Sequence, residues 1–91
     1  MKYDKYRKLL YERQSNLKCR EVLKALSDLG FRIRDAKGGH KLYRHPAIPS
    51  FPGSNFNCGH STGDQVKQNY IKNILSVIDE YETELKEALG E

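Results

Sequence analysis

Ninety-one residues, 37% hydrophobic and 31% charged, are enough for one globular domain with a modest core, too few for two, and too apolar for a wholly disordered chain. No apolar run approaches the roughly 20 residues that span a bilayer, and the opening Met1-Lys2-Tyr3-Asp4-Lys5 has no stretch to serve as a signal peptide, so a cytoplasmic location is expected. The net charge of +4 divides into +9 over residues 1–72 (15 Lys and Arg against 6 Asp and Glu) and −5 over residues 73–91 (1 against 6), and the basic body suits a polyanion such as RNA.

Tyr3, Tyr6, Leu9 and Leu10 lie at helical spacing and predict a short amphipathic helix over Tyr3 to Arg13. Gln14-Ser15-Asn16 interrupts it with capping residues. Cys19, Val22, Leu23, Leu26 and Leu29 then mark a second helix, which Gly30 stops in the usual C-terminal place. From Phe31 the period changes to two: Phe31 and Ile33 alternate with Arg32 and Arg34, as in a strand with one buried and one basic face.

Lys37-Gly38-Gly39 supplies a hairpin turn tolerant of positive φ, and His40 to His45 form the return strand. Pro46, Pro49, Pro52 and Gly53 force a loop, because proline cannot donate to a strand ladder. Asn55 to His60 can make a third strand with Phe56, Cys58 and His60 on one face. Past Thr62 or Asp64, either of which can cap a helix, Ile71, Ile74, Leu75, Ile78, Tyr81 and Leu85 predict one long helix lying across the sheet. The order is α-α-β-β-β-α, an α+β layer with helices on one sheet face.

Cys19 and Cys58 are a lone pair, neither in a Cys-x-x-Cys arrangement, in a chain with no export signal, so both are read as reduced packing thiols. Zinc sites usually bring ligands in closely spaced pairs. Among Cys58, His60, His40 and His45 only Cys58-Gly59-His60 comes near that pattern, so no metal or other cofactor is expected.

Five basic residues lie from Arg32 to Arg44 with Asp35 as the only acid, and His40, His45 and His60 fall in the same region. Histidine exchanges protons near neutral pH without special tuning. RNA carries its own nucleophile, the 2′-hydroxyl, so scission needs little beyond a positioned base or acid and cations for the phosphate. No carboxylate cluster suggests a two-metal nuclease, and there is no Walker loop or dinucleotide-binding fingerprint.

Four ordered motifs carry a resemblance. Leu29-Gly30-Phe31, Lys37-Gly38-Gly39-His40, Tyr43-Arg44-His45-Pro46 and Gln65-Val66-Lys67-Gln68-Asn69-Tyr70-Ile71-Lys72 resemble the signature segments of the HicA family of toxin–antitoxin ribonucleases, over about Leu17 to Tyr81. The resemblance implies a fold like the double-stranded RNA-binding domain, α-β-β-β-α with a three-stranded antiparallel sheet. Residues 1–16 would be an extra N-terminal helix, 17–81 the core and 82–91 an acidic helix end of a single domain. It also implies metal-independent cleavage of mRNA with His40 as the catalytic residue, and neutralisation by a HicB-type antitoxin. Arg34, Lys37, Gly38, Gly39, Lys41, Arg44, His60 and Lys67 are the expected RNA contacts. Gly39 stands where the family usually has Ser, which removes a hydroxyl able to orient the histidine or a phosphate, and Gln68 stands where Pro is frequent.

Several alternatives stay open at this stage. The chain reads also as a non-catalytic RNA-binding module, or as a partner for an acidic protein. Gly38 and Gly39 serve the turn in any reading. His45, just before Pro46, suits a strand end better than catalysis. Alternation puts His40, Leu42 and Arg44 on one face and Lys41, Tyr43 and His45 on the other, so each face has an apolar residue. If Leu42 is the core residue, His40 must sit at the rim of the sheet to reach RNA.

Overall fold

In the computed structural model, which describes residues 1–91, four helices accompany a three-stranded antiparallel sheet. They are α1 (Lys2–Glu12), α2 (Cys19–Asp28), β1 (Arg32–Asp35), β2 (His40–Arg44), β3 (Ser54–Asn57), α3 (Gln68–Glu80) and α4 (Glu82–Ala88), with a short 3-10 turn at Lys37–Gly39 between the first two strands. The sheet order is β1-β2-β3, so both outer strands leave an open edge. No helix is long and apolar enough to cross a membrane.

The helix pattern of α2 is realised as its spacing predicts: Cys19, Val22, Leu26 and Leu29 are all fully buried. Its start is fixed by Glu21, whose carboxylate accepts the Lys18 backbone N–H at 2.9 Å and the Arg13 guanidinium at 2.6 Å. Those two donors hold the Glu21 carboxyl below the usual carboxylate range. Gly30 ends the helix with φ +93°, and a Cβ there would stand 2.7 Å from His45 Nε2. Glycine is therefore needed twice over, for the turn and for the imidazole that fills its place.

The register decides which sheet face is core. Ile33 pairs with Tyr43 and Lys41 with Phe56, and Tyr43 and Phe56 are almost wholly buried while Leu42 is only half-buried. Phe31 packs edge-on against Tyr43, with ring centroids 5.5 Å apart, and against Phe51 at 6.1 Å. This aromatic layer outweighs one leucine, and it turns Leu42 outward together with His40 and Arg44. Burial pushes the Tyr43 phenol up to about 12, and its hydroxyl lies towards Ser54 without completing a hydrogen bond.

Four expectations need correction. The third strand ends at Asn57 instead of running to His60, because Gly59, at φ +68°, donates its N–H back to the Asn57 side chain at 2.7 Å and turns the chain. Phe56 and Cys58 are buried as the alternation requires, but His60 is exposed beyond the turn. Neither Thr62 nor Asp64 caps α3, which begins after Lys67. Asp64 instead accepts the His60 backbone N–H at 2.9 Å, which holds its carboxyl below the usual range, and it closes its own loop.

The long last helix is two helices, α3 and α4, divided at Tyr81. Asp79 and Glu80 put negative charge on the last turn of α3, where the helix dipole disfavours it. Glu82 and Glu84 in the first turn of α4 have the favourable sign, and the break swings Leu85 fully into the core. Finally, Cys19 and Cys58 are not free thiols but a disulfide, with Cα atoms 5.2 Å apart. The backbone of Cys19 donates to Asp64 O and that of Val66 to Leu17 O, which brings the loop after β3 against the start of α2. The bridge joins those two segments.

Candidate active site

The outward face of the sheet consists of three rows set by the register. His40 faces Asn57; Arg34 faces Leu42, which faces Asn55; and Arg32 faces Arg44. No carboxylate belongs to this face, and none of the three arginines forms an ion pair. The lone acid of the hairpin, Asp35, is directed elsewhere by pairing with Lys41.

His40 is half-buried at the start of β2, beside the Lys37–Gly39 turn. Its ring is held by Asn57. The Gly59 backbone N–H can only donate, so the Asn57 oxygen that receives it is identified by chemistry, and the amide nitrogen is left to face His40 Nε2 at 3.4 Å. With the amide nitrogen as donor, Nε2 is the accepting nitrogen of this contact. The bond is long, and a better donor brought by a ligand can replace Asn57 at the Nε2 lone pair.

The turn beneath His40 has two glycines of positive φ in succession, Gly38 at +66° and Gly39 at +80°. They differ in surroundings. A Cβ on Gly38 meets nothing within 4 Å, whereas one on Gly39 would lie 2.1 Å from the Gly59 carbonyl oxygen. Serine at position 39 therefore requires the Gly59 segment, and Asn57 with it, to move. In this fold the place is closed to the serine hydroxyl of the resembling signature.

Of the expected contacts, Arg34 and Arg44 share the outward face with His40, and Lys37, Gly38 and Gly39 form the adjoining turn. Lys41 does not join them: it projects to the opposite face, 17% exposed and held by Asp35. His60 follows Gly59, whose carbonyl packs on Gly39, so it borders the turn with an exposed side chain. Lys67 precedes α3 and is no part of the outward face. His45 is buried; its Nδ1 accepts the Ala47 N–H and its Nε2 donates to Leu29 O at 3.1 Å. That makes it a fastener between the end of α2 and the strand. With Cys58 bonded to Cys19 and His45 turned inward, the four candidate zinc ligands do not converge, and no three His, Cys, Asp or Glu side chains gather elsewhere.

No family model, curated protein or solved structure matches the chain. Asn57 is the site residue that sequence reading missed, although Asn57-Cys58-Gly59 contains an Asx-turn signal. Arg32 was visible as a charge but not as a neighbour of Arg44.

Proposed function

We propose that the chain is a metal-independent endoribonuclease of the HicA toxin type, built on a variant of the double-stranded-RNA-binding-domain fold and acting on mRNA in the cytoplasm. One observation supports this most: a histidine whose Nε2 faces the Asn57 amide at the end of an open, carboxylate-free face with three unpaired arginines. His40 acts as general base through Nε2. The 2′-hydroxyl displaces the Asn57 amide, gives its proton to Nε2 and attacks phosphorus; the bond from phosphorus to the 5′-oxygen breaks, and the departing oxygen takes a proton from solvent. The products are a 2′,3′-cyclic phosphate and a 5′-hydroxyl. Lys37 and the arginines offset the phosphate charge. A HicB-type antitoxin would neutralise the protein by covering this face.

A second reading, an RNA-binding module without catalysis, is favoured by Gly39, which leaves no hydroxyl at the turn. Incubation of the purified chain with single-stranded RNA in excess EDTA separates the two. Fragmentation of the RNA, with the matched DNA left intact, is the expected result because DNA lacks the nucleophile. Binding without any cut under these conditions would favour the second reading.

A further inference from the structure

Arg32 and Arg44 are direct partners across the β1–β2 ladder, an arrangement of like charges that weakens a sheet. No side chain of the protein compensates them. The row between this pair and His40 differs in kind: half-buried Leu42 lies at its centre, with the Arg34 guanidinium on one side and the Asn55 amide on the other. These residues, with Pro52, line a hollow of about 390 Å³. A second hollow shares Arg32, Arg44 and Pro52, so the depression continues past the arginine pair.

An apolar floor flanked by a planar cation and an amide is the environment of an unstacked nucleobase: the ring lies on leucine, guanidinium stacks on it, and the amide reaches its edge. A phosphate is suited to the paired arginines. Successive rows are two residues apart along β2, roughly 7 Å. We infer that the Arg34–Leu42–Asn55 row is a nucleobase subsite for single-stranded RNA and that Arg32 and Arg44 hold the next phosphate, so that the strand runs along β2 away from His40. This deepens the nuclease reading and rests on it only for placing the scissile phosphate at His40. Asn55 is then the residue that sets base preference at the position next to the cut. A base-paired strand cannot enter the hollow, because its bases are stacked within the helix.

The test is the affinity of the full chain for a fluorescein-labelled 2′-O-methyl oligoribonucleotide, which cannot be cleaved, measured by anisotropy. Three further probes are an abasic strand of the same length, a blunt duplex of the same sequence, and the single strand at a series of salt concentrations. Arg34→Lys keeps charge but loses the stacking plane. It should bind the normal strand about tenfold more weakly and the abasic strand as wild type does. The double variant Arg32→Gln with Arg44→Gln should flatten the salt slope by roughly 1.4 on both strands, the value for two phosphate contacts. The duplex should bind at least about tenfold more weakly than the single strand. These side chains are exposed, so wild-type circular dichroism is expected of all variants. Equal wild-type affinity for normal, abasic and duplex probes overturns the subsite, as does an Arg34→Lys variant indistinguishable from wild type. RNA cleavage together with that null binding pattern would sink the subsite alone. The expected binding pattern without any cleavage would sink the nuclease reading and leave the subsite standing.

Discussion

Replacing His40 by alanine is expected to lower RNA cleavage by about 10²-fold or more, the usual worth of a positioned general base, with little change in RNA affinity. The side chain is half-buried and its one hydrogen bond is the long one to Asn57, so folding should be retained. Initial rates on a labelled RNA, with anisotropy as the binding control, read both quantities. In cells without antitoxin, wild type should arrest growth and the variant should not. His45→Ala makes a useful contrast: it removes a buried group with two backbone partners, so its effect should appear in the melting temperature rather than in the chemistry. A cleavage rate for His40→Ala equal to that of wild type would remove the catalytic assignment.

Loss of the Cys19–Cys58 bridge should have the largest effect on stability. The residues it joins are 39 apart in sequence, and closing a loop of that size stabilises a fold by about 3–4 kcal/mol through the entropy of the unfolded chain. For a domain of this length that corresponds to a fall in melting temperature of roughly 15–25 °C for Cys19→Ser with Cys58→Ser. The effect should reach the site, because Cys58 lies between Asn57, which faces His40 Nε2, and Gly59, whose N–H fixes the Asn57 amide. Thermal unfolding of wild type and the double variant, with thiol titration of each, measures this. Two titratable thiols in native wild type and an unchanged melting temperature in the variant would contradict the bridge.

Local signals were legible wherever a single periodicity governed a segment. The buried stripe of α2, the strand alternation of Phe31 to Arg34 and the Gly38-Gly39 turn all follow from nearest-neighbour chemistry. What escaped depended on partners distant in sequence. Leu42 and Tyr43 both fit a core position, and only the aromatic rings of Phe31, Phe51 and Phe56 decide between them. Lys41 looked like an RNA contact until the face was known, since Lys37 and Arg44 in the same hairpin are cationic too. The cysteines gave no spacing signal because their meeting depends on the loop after β3 folding back onto α2. The break at Tyr81 is hidden by an apolar period that continues through it, and shows only in the sign of the charges on either side.

The position of His40 was legible from the turn before it; the group that faces its Nε2 was not, since this rests on Asn57 and on the Gly59 N–H across the sheet. In the proposed reaction the RNA's own 2′-hydroxyl cuts the strand while His40 takes its proton. The most direct measurement is end-group analysis of fragments made in EDTA from one labelled RNA, beside the same RNA with a single 2′-deoxynucleotide at the mapped cut. A 2′,3′-cyclic phosphate and a 5′-hydroxyl are expected from the first, and no cut at that position in the second. Fragments ending in a 3′-hydroxyl and a 5′-phosphate, or cleavage that persists at the deoxy position, would contradict it.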